Sequence, residues 1–351
     1  MKKLTIALLI CLGQGLINFS FAQYGSKSQT EILKEAVDMS NNGDFTNSND
    51  RLLYLLDKKY SPDLICYNLA TNFYSQQNYV KAEKYARQVL DMNAGYVLQA
   101  GVILGYCYDQ KGKLDKELEV YENLSQKFPK EYLTYQLSGI TLMQLKKFEQ
   151  AQTKFQKSIA LYSFDGLNHF QLSECFENQS RLTDACLAAY FGILTEPKSA
   201  RSILQFNRIA RYINNGETDI AVSKLTVDTT KLSRADNELI TAMLYINDLK
   251  KIGIDNETNL PDAETFITDS RTLLQNICKT VVSRDNFTAG FYVNFFNDLI
   301  TTDFLEEYLY YITSDIYPEA YKQFPGMTKE RINAFADEME KYFTENEYTD
   351  K

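Results

Sequence analysis

Tryptophan is absent from this chain of 351 residues, and histidine occurs once, at His169. A single imidazole leaves Ser-His-Asp hydrolysis and His-rich zinc coordination almost without material. His169 falls where a helix packs into the core, and it reads as a buried histidine satisfied by a hydrogen bond. Cysteine pairs at the close spacing of a Cys-only zinc site are lacking. Acidic residues never alternate in the Asp-x-Asp-x-Asp-Gly pattern of a calcium loop. No phosphate-cradling loop occurs either, since Gly101 and Gly105 precede no Lys-Ser/Thr pair. Glu174 and Glu177 share a helix face at three-residue spacing and read as a solvated acidic edge rather than an acid/base pair. The sequence therefore offers no catalytic residue, no metal site and no cofactor site, and the chain reads as non-enzymatic.

Clustered Lys and Arg are also missing. The formal charge is −9, which disfavours nucleic acid and anionic lipid as partners because both need basic clusters to replace counterions. The amino terminus is distinct. Lys2 and Lys3 precede an apolar run from Leu4 to Ile17, closed by Ser20-Phe21-Ala22 with small residues where a signal peptidase reads. This pattern predicts a secretory signal over residues 1–22, cleaved near Ala22, and a chain that is periplasmic or extracellular, with no membrane span after cleavage. Without those residues the charge moves to −11, since two lysines and no acids are removed. Cys11 lies inside the apolar run. Of the five remaining cysteines, Cys175 and Cys186 are the best placed to pair, yet the register turns Cys175 away from the partner helix. Small buried apolar residues is the better reading for them.

What is present is a period. Ala36, Ala70, Gly105, Gly139 and Ser173 recur every 34 or 35 residues, and a second series, Ser48, Ala82, Glu117, Ala151 and Ala185, follows each by twelve. Periods of this length belong to stacked helical hairpins, each burying its apolar face against its neighbours. Two helices approach closely only where both carry small side chains, with aromatics filling the space beside them. Turn signals repeat in step: Asn41-Gly43 before Phe45, Gln76-Asn78 before Tyr79, Lys111-Gly112 before Leu114, Gln144-Lys147 before Phe148, and Asn178-Ser180 before Leu182.

Leu104-Gly105, Tyr108, Tyr121 and Pro129 stand at the spacings of the tetratricopeptide repeat, with Gly139, Ala151 and Phe155 agreeing in the next unit and Leu172, Phe176, Ala185 and Pro197 in the one after. In the second unit, Leu69, Phe73, Tyr79 and Ala82 do the same. The chain resembles tetratricopeptide-repeat proteins over five units, about 29–62, 63–97, 98–131, 132–165 and 166–198. Glu117 departs from the small-residue pattern, and the Trp position never holds Trp. The resemblance implies an all-α, right-handed solenoid whose first helices line a concave groove.

Beyond residue 198 the pattern fades. Residues 199–252 read as degenerate repeat-like helices, with a hairpin around Phe206, Tyr212, Gly216 and Ala221 and a helix from about Arg234 to Lys250. Gly253 to Pro261 reads as a polar linker. Residues 262–345 are expected to form a helical capping or accessory domain: an amphipathic helix over Asp262–Val282, an aromatic-rich helix pair broken at Thr301-Thr302-Asp303, and a last helix from Thr328 to Phe343.

On this register the concave wall is built from Tyr67, Thr71 and Tyr74, then Val102, Tyr106 and Asp109, then Gln136, Ile140 and Met143, then Phe170 and Glu174. It carries no Lys or Arg, so the cationic clamp with which related proteins hold acidic carboxyl-terminal tails is absent. Tyr and amide side chains suit an extended peptide or a partner helix. The expected function is a protein-interaction scaffold of a bacterial envelope. Binding of a carbohydrate or envelope polymer is one alternative, and a groove covered by the chain's own carboxyl-terminal helices, which then carry the partner site, is another.

Overall fold

The computed structural model describes residues 27–213, 262–279, 286–325 and 328–345. The expected signal segment, the helix over 234–250 and the linker up to 261 lie outside the described residues. Two compact units divide at Phe128 and Pro129.

In the first unit three hairpins follow one another: α1 (Gln29–Asn41) with α2 (Phe45–Asp57), α3 (Pro62–Ser75) with α4 (Tyr79–Met92), and α5 (Val97–Asp109) with α6 (Leu114–Lys127). Local chemistry starts each helix. Ser28 and Glu31 form a capping box on α1, Asp44 and Asn78 cap α2 and α4, and Pro62 occupies the first turn of α3, where no amide donor is needed. The second unit continues with α7 (Tyr132–Gln144), α8 (Phe148–Leu161), α9 (Gly166–Asn178) and α10 (Leu182–Thr195). It adds α11 (Ala200–Ile213) and α12 (Ala263–Lys279). A one-turn helix Asn286–Thr288 and a π turn Ala289–Val293 then lead into α13 (Asn294–Thr301), followed by α14 (Leu305–Ile312), α15 (Pro318–Gln323) and α16 (Lys329–Glu345). The helix break expected at Thr301-Thr302-Asp303 separates α13 from α14, and Thr328 caps α16 by accepting from the Arg331 amide at 3.2 Å. No strand occurs among the described residues.

The turn inside each hairpin is the same object five times. Gly43, Gln77, Gly112, Lys146 and Ser180 take left-handed φ values of 80, 57, 64, 58 and 60°. The residue after each returns a hydrogen bond to the carbonyl five back: Asp44 to Met39, Asn78 to Phe73, Lys113 to Tyr108, Lys147 to Leu142 and Arg181 to Phe176. This is the Schellman closure, which satisfies the last carbonyls of the first helix and reverses the chain. Three of the five turns place a side chain where glycine is favoured.

All ten residues of the two small-residue series are buried, and the structure shows what the twelve-residue offset does. Ser48 donates to the Ala36 carbonyl at 2.7 Å, and Ser173 donates to the Ala185 carbonyl at 2.8 Å. A hydroxyl on one helix thus bonds directly to the backbone of its partner, which only close approach allows. The two glycines act differently. A Cβ at Gly105 would lie 2.2 Å from the Tyr121 ring, and one at Gly139 would lie 2.7 Å from the Phe155 ring. The aromatics that the spacing places beside the contact are seated in it.

Neighbouring hairpins of the first unit are also tied by polar groups. Buried Asn72 donates to Ser48 Oγ at 2.8 Å and to Asn49 Oδ1 at 3.0 Å, and Asn49 donates to Gln76 at 3.1 Å. In the second unit, the carboxyl-terminal helices pack against α10. The Tyr308 hydroxyl donates to the Tyr190 carbonyl at 2.7 Å, Tyr190 donates to Ser270 at 2.8 Å, and Phe191 packs against Phe291, Tyr292 and Phe295. These contacts leave Tyr190 and Phe191 of α10 fully buried.

Two substitutions are expected to move stability in opposite directions. Gly105→Ala forces the fully buried Tyr121 ring to shift and should cost roughly 1–3 kcal/mol. Lys146→Gly relieves a left-handed side chain in an exposed turn and should stabilise by about 0.5–1 kcal/mol. Urea denaturation of both variants beside the parent chain checks the pair of signs.

Candidate functional site

In the first unit the expected wall forms an aromatic surface. α3 supplies Tyr67, Thr71 and Tyr74, and α5 supplies Val102, Tyr106 and Asp109. The Tyr74 and Tyr106 rings meet with centroids 6.0 Å apart, so the two first helices contribute to one surface. Tyr106 is exposed, while Tyr67, Tyr74, Thr71, Val102 and Asp109 are half-buried. Two further rings join them. Tyr96, in the turn before α5, stacks on Tyr67 at 5.2 Å with planes 9° apart, and Tyr79, opening α4, lies 5.6 Å from Tyr74. Neither is reached by a first-helix register, because neither sits on a first helix. Gly95 beside Tyr96, and Tyr79's place at the start of α4, are the signals available in the sequence.

The wall is polar but uncharged along its rings. Partial desolvation raises the phenol pKa of Tyr74 and of Tyr106, and both hydroxyls, protonated already at their ordinary value, can donate. Tyr79 donates toward Gln110 at 3.3 Å, and Gln110 donates to Asp109 at 3.0 Å. The nearby Lys111 is committed: its ammonium contacts Glu83 at 2.6 Å and the Tyr79 carbonyl at 3.1 Å. Burial opposes ionisation of Glu83, yet hydrogen bonds from Lys111, Arg87 and Tyr108 outweigh it and bring that carboxyl down to about 2.

In the second unit the expected wall is only partly available. Ile140, Met143 and Glu174 are half-buried, but Gln136 and Phe170 are not on an open surface. Gln136 is 5% exposed and donates to Asp165 at 2.7 Å. Asp165 in turn caps α9 by accepting from the Leu167 amide, so Gln136 holds a connection between hairpins. Phe170 is 3% exposed and its ring lies over Gly192 of α10, where a Cβ would come within 2.5 Å. Both positions are corrections to the wall, because partners outside their own helices, Asp165 and Gly192, claim their side chains. Glu177, read as part of a solvated acidic edge, is buried and pairs with Arg208 of α11 at 3.5 Å.

His169 is fully buried and satisfied at both nitrogens. The Ser163 carbonyl, 2.8 Å away, can only accept, so Nε2 carries the proton and Nδ1 accepts from the Tyr292 hydroxyl at 2.7 Å. Burial pushes the imidazole down to about 4, against the pull of the Ser163 bond. Cys66, Cys107, Cys175 and Cys186 form no disulfide and are buried, and Cys278 is likewise unbridged and half-buried. Burial raises the Cys175 thiol to about 12, which makes it inert. Among the described residues, no group of three or more His, Cys, Asp or Glu is placed to hold a metal ion, and no helix is long and apolar enough to cross a membrane.

The His169 geometry carries a pH prediction. The folded pKa lies below the unfolded value of 6.5, so its contribution is complete above pH 6.5 and is lost as pH falls toward 4. Between pH 7 and pH 4.5 the parent chain should lose roughly 2.5 kcal/mol more than His169→Gln. Urea melts of both proteins at the two pH values measure it, and equal acid sensitivity would count against the neutral, buried tautomer.

No family model matches the chain, and no curated protein does. Among solved structures it is similar to MamA AMB-1, at 15% identity over 49% of this chain and 93% of that one, with a TM-score of 0.41. It is similar to TTC0263, a thermophilic TPR protein in Thermus thermophilus, at 15% identity over 52% and 98%, with a TM-score of 0.40. A tetratricopeptide repeat protein from Parabacteroides merdae ATCC 43184 matches at 13% identity over 88% and 96%, with a TM-score of 0.38. Similarity at this level carries nothing about function. By its own five hairpins, their left-handed turns and their buried contacts at a twelve-residue offset, this chain has the fold of a helical-repeat array whose hairpins are similar to tetratricopeptide repeats.

Proposed function

We propose that the chain is a non-enzymatic interaction scaffold that holds an extended apolar peptide, or the apolar face of a partner helix, on the wall built by α3 and α5. The observation that carries this reading is a set of five tyrosines left partly open to solvent, the stacked pair Tyr67 and Tyr96 and the trio in which Tyr74 meets both Tyr79 and Tyr106. Such side chains supply contact area at small entropic cost, and each hydroxyl meets the backbone of a bound segment. Ring-to-ring contact holds the surface in place before a partner arrives, which lowers the ordering cost of binding. With no Lys or Arg among the wall positions, a segment of neutral or basic character is favoured over an acidic tail.

The amino-terminal pattern supports an exported protein of a bacterial envelope, with residues 1–22 as the discarded signal. The repeats would then present their wall outside the cytoplasm, and the helices of residues 262–345 would serve as the cap of the array.

A displayed library of random twelve-residue peptides, selected on the full chain, tests the reading. Selected peptides should be rich in apolar residues, and their affinity should fall at least about tenfold in Tyr74→Ala combined with Tyr106→Ala, the loss expected for truncating central aromatic contacts. Circular dichroism should be unchanged. Undiminished binding by the double variant would sink the assignment.

A further inference from the structure

We infer that a cleft between α13 and α16 binds a neutral polyhydroxylated ligand, a single sugar or the terminal sugar of a glycan. The cleft, of about 310 Å³, is walled by two facing stripes of polar side chains. Asn294, Asn297, Asp298 and Thr301 stand at i, i+3, i+4 and i+7 on α13, and Glu338, Lys341 and Tyr342 at i, i+3 and i+4 on α16. Both spacings bring side chains to one helix face. The volume is at the lower end of small-molecule sites and suits one ring with its hydroxyls rather than a polymer.

Charge selects the ligand class. Asp298 and Glu338 oppose an anion. Lys341, 3.3 Å from Glu338, opposes a metal ion, and two carboxylates are in any case fewer than a metal site collects. What is left is a ligand without net charge that offers many donors and acceptors. The Asn294 and Asn297 amides make no side-chain hydrogen bond among the described residues, and each presents a donor and an acceptor to a pair of vicinal hydroxyls. Carboxylates accept from the same hydroxyls through charge-assisted bonds. Tyr342 supplies the apolar surface on which the C–H face of a sugar rests, and its ring is steadied edge-on by Phe295 at 5.3 Å.

The backbone before α13 gives a second observation. The π turn Ala289–Val293 inserts a residue ahead of the helix, a feature that clusters at functional sites. It occurs where Phe291, Tyr292, Phe295 and Phe296 all point into the core, and α13 emerges from it with its polar stripe toward the cleft. The inference is independent of the peptide wall, which is built on other helices in the other unit.

The test is saturation-transfer NMR and calorimetry on the full chain, with glucose, mannose, N-acetylglucosamine and their β-linked and α-linked disaccharides as probes, and inorganic phosphate, magnesium and the zwitterion alanyl-glutamate as controls. At least one sugar should bind saturably with Kd of about 1 mM or tighter. Asn297→Ala and Tyr342→Leu should each weaken it at least about tenfold, whereas Tyr74→Ala combined with Tyr106→Ala should leave it unchanged. Asn297 is exposed and Tyr342 half-buried against Phe295, and circular dichroism checks that both variants keep the parent fold. Absence of saturable binding by every sugar, binding that survives both cleft variants, or preference for phosphate, magnesium or the zwitterion would each overturn the inference.

Discussion

Everything in the repeats depends on one constraint: two antiparallel helices must come close enough for their backbones to touch at a residue pair twelve apart. The serine hydroxyls of Ser48 and Ser173 show how close, since each reaches the carbonyl of the opposite small residue. Where the small residue is glycine, the space is taken by an aromatic ring instead, Tyr121 over Gly105 and Phe155 over Gly139. The hairpin turn must deliver the second helix to this contact, and its left-handed residue recurs with the same period as the contact itself. Period, turn and packing are three expressions of a single geometric requirement.

The aromatic wall follows from that requirement. Once the small residues face inward, side chains a turn away on α3 and α5 face outward together, and Tyr74 and Tyr106 meet across neighbouring hairpins. The wall's character is therefore set by what stands one turn from a packing residue, a position that the fold leaves free to vary. In the second unit the same logic places Gln136 and Phe170 one turn from packing residues, yet Asp165 and Gly192 claim them.

The contrast marks how far sequence reasoning reaches. Helix pairs and turns are legible because each depends on residues within one period: small residues, a polar turn and a hydrophobic anchor. His169 is legible as a core residue because its neighbours in sequence are packing positions, although its partner Tyr292 lies 123 residues away. Gln136, Phe170 and Glu177 are misplaced by the pattern because their partners, Asp165, Gly192 and Arg208, lie outside the helix on which the face is reckoned. The π turn before α13 leaves no trace in the pattern, since an inserted residue in an aromatic-rich run preserves the apolar count while shifting the face. Tyr96 and Tyr79 escape as wall residues because they sit in turns and second-helix starts, which a first-helix register does not reach.

The central claim is that the tyrosine surface on α3 and α5 is open and receives a partner. A photoreactive benzoylphenylalanine in place of Tyr106, irradiated in intact cells producing the full chain and followed by mass spectrometry of the adducts, tests it most directly. The account predicts adducts to another polypeptide, absent when Tyr67 and Tyr74 are also changed to alanine. Adducts confined to the chain's own carboxyl-terminal helices would show the wall to be covered from within and would contradict the account.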